Sequence, residues 1–202
     1  QWQDDADSST LKKNWSDSKN YCQNLSLGGY TDWRLPSRDE LLSIVNKEVY
    51  DTTTYSEFQN ITADDYYWSS TSYEYSDSYD GWTVHFKYGH DSVNVESDNL
   101  YIKCVRGDEF KKEFTRDNST DIVTDKISGL EWQDNSDAKD VEKTWEEAIN
   151  YCENLNLGGE SDWRLPNINE LISITDLSRA RPAIDNIFQN TGSDNSYRYW
   201  TS

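Results

Sequence analysis

The chain has 202 residues, enough for one large domain or two small ones, and 38 acidic against 19 basic residues give a formal net charge of −19. This balance excludes a nucleic-acid binder, which needs a Lys/Arg surface to neutralise phosphates, and it disfavours an anionic membrane. Aromatic residues make up 14% of the chain, enough for a packed core, and no stretch approaches the roughly 18 apolar residues of a membrane span. We therefore expect a folded acidic protein with no nucleic-acid partner and no membrane span in this segment.

The sequence repeats itself. The stretch GGYTDWRLPSRDELLSI begins at Gly28, and GGESDWRLPNINELISI begins at Gly158, 130 residues later. The motifs WQD, YC and FQN recur at the same offset, after which the register slips by two and aligns Trp68 with Trp200. Self-similarity at a fixed period indicates tandem copies of one module. We place module 1 at residues 1–107 and module 2 at residues 108–202.

The two copies differ in extent. Copy two has an upstream stretch, FTRDNSTDIVTDKISGLEW from Phe114, for which copy one has almost nothing before Trp2. Copy one continues to YIKCVRG at 101–107, whereas copy two stops at Ser202. The chain also opens at Gln1 rather than at a methionine. We expect a slice of a longer array, or a unit whose ends are completed by neighbours.

Within each module the local patterns favour two helices followed by strands. In TWEEAINYCENL, Thr144 forms a capping box with Glu147, and Gly158–Gly159 is expected to end the helix. A second helix follows RLP, where Ser37 begins another such box. The stretches WTVHFKY and LYIKCVR alternate apolar and polar residues, which is typical of strands. The predicted fold class is therefore α+β.

The chain has three cysteines. A bridge between Cys22 and Cys104 would close a long loop, and the equivalent partner of Cys152 would lie beyond Ser202. The odd count therefore fits a partner outside this segment better than a reactive thiol, although a catalytic cysteine is the alternative. Disulfides favour an oxidising, extracellular setting.

These motifs, in this order, are similar to the C-terminal domain family of the Legionella collagen-like adhesin. The matching stretches are GLEWQD at 129–134, TWEEAINYCENLNLGG at 144–159, DWRLPNINELISI at 162–174, YWSST at 67–71, WTVHF at 82–86 and IKCVRG at 102–107. That family resembles C-type-lectin-like domains, in which a first-helix cysteine pairs with a last-strand cysteine. The resemblance implies C-type-lectin-like modules in tandem, each with two helices and a twisted antiparallel sheet. It also implies a Cys22–Cys104 disulfide and a bacterial cell-surface or secreted protein used in adhesion.

Calcium-dependent sugar binding is not carried over from that resemblance. True C-type lectins use a Glu-Pro-Asn or Gln-Pro-Asp tripeptide, and none of the three prolines here lies in one. The acidic loops DDADSS at 4–9 and DNSDAKD at 134–140 offer the oxygen ligands that calcium prefers, but they fit no EF-hand pattern. Solvated turns are the preferred interpretation, calcium is the alternative, and no other cofactor is expected.

The most suggestive binding stretch is DDYYWSSTSYEYSDSYDGW, from Asp64 to Trp82. Tyr and Ser dominate it, as they dominate antibody paratopes, because Tyr gives rigid contact area at low entropy cost. The alternative is that its tyrosines are half-buried strand residues. The candidate ligand-binding residues are Tyr66, Tyr73, Tyr75, Asp77, Tyr79, Asp80 and Trp82. His85 and His90, beside Asp91, are expected to be surface residues rather than metal ligands.

Two functions remain open. The first is a non-enzymatic adhesion or ligand-binding module, whose partner is a glycan or a host or cell-surface protein. The alternative is a structural subunit of an extracellular filament, whose partners are neighbouring copies of itself joined by strand or module complementation. An enzyme is disfavoured because G-x-S-x-G, H-E-x-x-H, P-loop and Rossmann patterns are absent from the sequence. The expected location is extracellular, on the bacterial cell surface.

Overall fold

The computed structural model describes residues 1–46, 54–62, 64–73, 80–109, 111–176, 183–192 and 198–202. The protein divides into two compact units, unit 1 (Gln1–Phe110) and unit 2 (Lys111–Ser202). Both units contain helices and strands, so the predicted α+β class is confirmed. Among the described residues, no helix combines the length and the apolar character that a membrane crossing needs.

Unit 1 has three helices and seven strands among its described residues. In chain order these are α1 (Asp7–Thr10), β1 (Lys12–Lys13), α2 (Trp15–Asn24), β2 (Trp33–Arg34), α3 (Arg38–Ser43), β3 (Tyr66–Tyr73), β4 (Asp80–His85), β5 (His90–Val95), β6 (Leu100–Tyr101) and β7 (Val105–Arg106). The stretch LYIKCVR, expected to be one strand, is therefore split between β6 and β7.

Five of these strands form one sheet in the order β1–β6–β3–β4–β5. Neighbours run antiparallel except β3 and β6, which pair in parallel through Tyr67 and Tyr101. Across β3 and β4, Tyr67 pairs with Val84 and Trp68 pairs with Thr83. Successive side chains of a strand point to opposite faces, so Tyr67 and Trp68 pack on opposite sides of the sheet. Strands β2 and β7 form a separate two-stranded sheet.

Both faces of the five-stranded sheet carry buried residues. On one face, the fully buried Tyr67 ring lies 5.0 Å from Phe86 and 5.3 Å from Tyr101, and α3 packs against β3, β4 and β5. On the other face, α2 packs against β3. The buried residues of that second cluster are Cys22, Trp33, Leu35, Trp68, Leu100, Ile102 and Cys104.

The DWRLP motif connects β2 to α3. Ser37 caps α3 with the predicted box, because its hydroxyl accepts from the Glu40 amide while the Glu40 carboxylate accepts from the Ser37 amide. Arg34 donates to the same carboxylate at 2.7 and 2.6 Å. In unit 2, Arg164 donates to Glu170 at the same two distances. This bidentate contact fixes the orientation in which the DWRLP segment enters α3 or α6.

The disulfide implied by the resemblance is present. Cys22 of α2 and Cys104, which directly precedes β7, are both fully buried and bonded with an S–S distance of 2.01 Å. The bridge spans a sequence separation of 82, and a closed loop of that length stabilises the fold by about 4 kcal/mol on the chain-entropy account. It ties the helix to the end of unit 1.

Unit 2 opens with strands and continues with helices. Its described elements are β8 (Phe114–Asp117), β9 (Ile122–Asp125), β10 (Glu131–Gln133), α4 (Asp137–Asp140), α5 (Trp145–Glu153) and α6 (Ile168–Ser173). Strands β8, β9 and β10 form an antiparallel sheet in the order β10–β9–β8. Val123 of this sheet packs against Ile174 and Phe188 in a buried cluster.

The double glycine after α5 forms a turn. This helix ends at Glu153, so the expectation that Gly158–Gly159 ends it is wrong. Both glycines have positive φ, 67° and 92°, a conformation that residues with a Cβ rarely adopt. On either side of them, Leu157 and Glu160 exchange amide-to-carbonyl bonds of 3.2 and 3.1 Å. The pair is therefore the tip of a two-residue hairpin turn.

The repeat extends to individual hydrogen bonds. The Trp15 indole donates to the Ser69 carbonyl at 2.6 Å, and in unit 2 the Trp145 indole donates to the Thr201 carbonyl at 2.8 Å. The other equivalent bonds are Trp68 to Lys13 and Trp200 to Lys143, Tyr21 to Asp7 and Tyr151 to Asp137, and Ser70 to Pro36 and Ser202 to Pro166. The two copies thus build the same framework around these positions.

Candidate functional site

The candidate binding residues do not form one site. Tyr75, Asp77 and Tyr79 lie outside the described residues. Tyr66 begins β3 and Tyr73 ends it, and seven residues of extended strand span about 23 Å. The structure therefore divides the predicted set between the two ends of the sheet.

One end carries the Trp82 cluster, which we define as Arg38, Tyr73, Asp80, Trp82 and Asp91. Tyr73 pairs with Asp80 across β3 and β4, and its ring meets the edge of Trp82 at 5.5 Å. The Arg38 guanidinium carbon lies 5.2 Å from the centre of the Trp82 ring. Three of the predicted residues are thus brought together with an arginine and a further carboxylate.

Arg38 is the residue of this cluster that the sequence did not single out. It is buried at the start of α3, where its amide donates to the Thr71 hydroxyl at 3.0 Å. Its guanidinium donates to Asp91 from Nε at 2.7 Å and lies 2.5 Å from the same oxygen through Nη2. A comparison of the two copies would have drawn attention to this residue. The matching stretches have Arg38 in copy one and Ile168 at the equivalent position of copy two.

The Trp82 indole N–H is buried and donates no hydrogen bond to any residue that the structure describes. Buried donors are almost always paired, so an unpaired one calls for a specific explanation. The Trp82 ring lies against the Tyr73 ring and beside the Arg38–Asp91 pair. Aromatic and arginine side chains dominate the energetics of binding surfaces. The arrangement offers stacking, donor and acceptor groups to a bound molecule.

The other end of the sheet carries the histidine cluster, defined as Tyr66, His85, Tyr88 and His90. The two imidazoles are stacked at 5.6 Å, and Tyr88 stacks with both, at 5.0 Å from His85 and 6.0 Å from His90. Tyr66 meets His85 edge-on at 4.7 Å. The expectation that both histidines are surface residues is wrong for His85, which is buried between these rings.

His85 is held in its neutral form. Burial lowers its pKa first, the adjacent His90 lowers it further, and the carboxylates of Asp64 and Asp65 only partly oppose this. The Lys87 amide donates to His85 Nδ1 at 3.3 Å, which requires an unprotonated nitrogen there. A neutral His85 imidazole therefore lies between the rings of the cluster at neutral pH.

The first aspartate of each acidic loop is a structural clip rather than part of a solvated turn, so that interpretation is wrong for these two residues. Asp4 accepts the amides of Gln59 and Asn60 at 2.9 and 3.0 Å and lies 3.1 Å from the buried Lys103 ammonium. In unit 2, Asp134 accepts the equivalent amides of Gln189 and Asn190, and its cation is the Arg116 guanidinium. Each carboxylate joins its loop to the FQN motif.

These bonds bear on the calcium alternative. Both oxygens of Asp4 and of Asp134 are committed to protein donors. Across the described ranges, no group of three or more His, Cys, Asp or Glu side chains is arranged to hold a metal ion. The clips give a structural reason for the recurrence of an aspartate at both positions.

Together these features define an α+β module that occurs twice in one chain and whose first copy carries a disulfide and two aromatic clusters. The model of the Lcl C-terminal domain family matches residues 1–106 and 121–202, two segments consistent with a repeated domain. The chain belongs to the Lcl C-terminal domain family, and the resemblance recognised in its motifs is confirmed. No curated protein matches the chain.

Proposed function

We propose that this protein is a non-enzymatic adhesion or ligand-binding module, repeated in tandem on a bacterial cell surface or in a secreted protein. Membership of the Lcl C-terminal domain family supports an adhesin-like role. The Cys22–Cys104 disulfide supports an extracellular location, because such bonds persist in oxidising compartments and are rare in the cytosol.

A C-type-lectin-like fold is part of this proposal. The order of α2, α3 and a largely antiparallel sheet supports it, as does the disulfide from α2 to the segment before β7. In such a module the long connections beside the central sheet carry binding, because loops on a rigid scaffold vary without cost to the core.

We place the ligand contact at the Trp82 cluster. The observation that carries this assignment is the buried Trp82 indole N–H, which lacks an acceptor among the described residues, next to the Arg38–Asp91 pair. A hydroxyl or carbonyl oxygen of the ligand would accept a hydrogen bond from the indole N–H after the adjoining side chains move aside. The Tyr73 ring supplies a flat apolar surface. Hydroxyl-rich ligands with flat faces, such as neutral glycans, combine both features.

The net charge of the protein restricts the class of ligand further. The net charge of −19 opposes sulfated or otherwise anionic glycans, because like charges repel at close approach. A neutral glycan, or a protein surface with basic groups, is the partner that we propose.

A glycan array and a cell-binding assay test the assignment, each run with and without a chelator. Tyr73→Ala and Trp82→Phe should weaken binding at least tenfold, or about 1.4 kcal/mol. Tyr55→Ala is the matched control, since this exposed tyrosine of unit 1 lies outside the cluster and its removal should leave binding unchanged. Wild-type binding by both cluster variants would refute the site, and loss of binding with chelator alone would show that calcium takes part.

The second candidate function is a structural subunit of an extracellular filament. The observation that favours it is that β5 (His90–Val95) is an edge strand of the five-stranded sheet among the described strands, and an edge strand offers backbone groups to which a strand of a neighbouring chain can pair. Negative-stain electron microscopy of native surface material, with intact mass on the same sample, tests it. Regular filaments would support assembly, and separate particles would favour the adhesin.

A further inference from the structure

The histidine cluster packs against the turn that joins β4 to β5. His85 ends β4 and His90 begins β5, and the two residues lie directly opposite each other in the strand pairing. Their rings are nearly parallel, at 13°, with centres 5.6 Å apart. The Tyr88 ring of the turn stacks on both imidazoles, and the Tyr66 ring lies nearly perpendicular to them at 4.7 and 6.1 Å. His85 is only 7% exposed but Tyr88 is 53% exposed, so a half-exposed tyrosine covers a buried imidazole.

Three contacts of the turn converge on His85. The Lys87 amide donates to the imidazole Nδ1 at 3.3 Å. The Gly89 amide donates to the main-chain carbonyl of His85 at 2.9 Å, and the Tyr88 ring stacks on its imidazole at 5.0 Å. Each of the three residues that precede His90 is thus in contact with His85.

The neighbours of His85 in the sequence are held independently of it. Val84 and Phe86 are fully buried, and the Phe86 ring lies 5.0 Å from the Tyr67 ring. The ladder between β4 and β5 extends along the full length of both strands. Segments with few independent contacts open at lower cost than a packed core. A change in the charge of His85 can therefore release the turn residues 87–89 while the two strands stay paired.

The closed arrangement of the turn requires a neutral His85. Because Nδ1 accepts the Lys87 amide, the ring proton is on Nε2. A second proton, on Nδ1, would place two donors against each other and break this hydrogen bond. It would also put a cation against the face of the parallel His90 ring, and protonation of both rings would leave two like charges with centres 5.6 Å apart. Protonation of His85 and closure of the turn therefore oppose each other.

The charged groups around the cluster do not supply a counter-ion for His85. In the part of the chain that the structure describes, no carboxylate forms an ion pair or a hydrogen bond with its imidazole. Asp64 pairs with the Lys87 ammonium at 3.0 Å, and Asp65 pairs with Lys12. Burial lowers the pKa of His85 most, the second imidazole and the Lys87 ammonium lower it further, and the two aspartates oppose this only in part. A proton on His85 thus has no carboxylate partner within the closed cluster.

We propose that the histidine cluster is an acid-sensitive conformational switch, in which protonation of His85 between about pH 7 and pH 5 releases residues 87–89 from the end of the sheet and exposes His85 and Tyr66. The proton comes from solvent and leaves again when the pH rises, so the change is reversible. The switch goes beyond the proposed binding function, because the Trp82 cluster lies at the other end of the sheet.

NMR spectroscopy of the isotope-labelled full chain, kept in EDTA so that no metal ion binds the imidazoles, measures the switch directly. At about pH 7.5 the ring protons of Tyr88 should give nuclear Overhauser cross-peaks to those of His85 and His90, because these rings are stacked. At about pH 5 these cross-peaks should be lost, in step with the titration of the His85 ring. The cross-peaks between Phe86 and Tyr67 are the internal control and should persist.

Two variants separate the switch from a purely structural role of the cluster. His85→Gln keeps an oxygen that can accept the Lys87 amide but binds no proton, so the cross-peaks between Tyr88 and His90 should remain in acid. His90→Asn keeps His85 and removes the neighbour that lowers its pKa, so the titration of His85 should move to higher pH. His90 is exposed, so its replacement should leave the fold intact and gives a result even where His85→Gln does not fold.

Four results would each overturn the inference. The first is that the cross-peaks between Tyr88 and the imidazoles persist after His85 is protonated. The second is that the cross-peaks between Phe86 and Tyr67 disappear at the same pH, because the whole unit then unfolds and no local switch exists. The third is that the turn still opens in acid in His85→Gln, and the fourth is an unshifted titration of His85 in His90→Asn.

Discussion

The ion pair of Asp4 and Lys103 should respond unequally to the loss of either partner. The Lys103 side chain is fully buried, whereas Asp4 is about a quarter exposed and also accepts the amides of Gln59 and Asn60. Asp4→Ala removes the carboxylate from the buried Lys103 ammonium and from two backbone amide donors at once. Breaking a buried pair from this side costs about 3–5 kcal/mol. Lys103→Met leaves a carboxylate that keeps both amides and some water, so it should cost less than about 2 kcal/mol.

Calorimetry at pH 7 measures the difference. At roughly 4–8 °C per kcal/mol for a unit of this size, Asp4→Ala should lower the Tm of unit 1 by more than about 12 °C. Asp134→Ala is the matched control, since it removes the equivalent clip and should lower the transition of unit 2. If Lys103→Met destabilised unit 1 as much as Asp4→Ala, the ammonium and not the carboxylate would be the centre of the clip, and the reasoning would fail.

Acid titration tests the same clip. Burial alone would raise the pKa of Asp4, but the amides of Gln59 and Asn60 and the Lys103 ammonium hold it below its usual value of 3.8. The unfolded carboxyl then binds a proton at higher pH than the folded one. The stability that Asp4 contributes is therefore fully present above its usual pKa and is lost as pH falls through the folded pKa. Asp4→Ala should remove this part of the acid sensitivity.

Three further changes probe unit 1 by urea unfolding. Because the pKa of His85 lies below its ordinary value of 6.5, stability should be constant above that pH and fall as the pH drops through the folded pKa. His85→Gln should flatten this slope, and an unchanged slope would contradict the assignment. Replacing Cys22 and Cys104 with Ser should remove about 4 kcal/mol, as should reduction of the wild type. Gly81→Ala places a methyl 3.0 Å from Trp68 and should cost about 1–3 kcal/mol, so a neutral effect would refute the close approach of β4.

Local features were predictable from the sequence because their partners lie close along the chain. The predicted capping boxes of Ser37 with Glu40 and of Thr144 with Glu147 each join residues three positions apart. The repeat predicted two modules because the same residues at the same spacing form the same short-range hydrogen bonds. The Cys22–Cys104 pairing, in contrast, came from the family resemblance, since three cysteines alone leave the choice of partners open.

Residues with distant partners were placed wrongly or missed. Arg38 was missed, because the carboxylate that accepts its guanidinium belongs to Asp91, 53 positions later in the sequence. His85 alternates with buried residues in a strand and was assigned to solvent, yet the turn that follows folds Tyr88 over it. Composition grouped Tyr66 with Tyr73, but an extended strand separates them. In each case burial depends on which strand lies alongside, and the sequence pattern does not contain that information.

The two aspartate clips show what a repeat can and cannot predict. The carboxylates of Asp4 and Asp134, with the amides that they accept, lie inside the repeated stretch and recur together. The cation does not, because Lys103 follows β6 in unit 1 whereas Arg116 belongs to β8 in unit 2. A largely desolvated carboxylate favours a nearby cation, and each copy supplies it from a different part of the chain. A charge that recurs in a repeat without its counter-ion therefore indicates a partner elsewhere in the sequence, to be sought by position in the fold rather than by alignment.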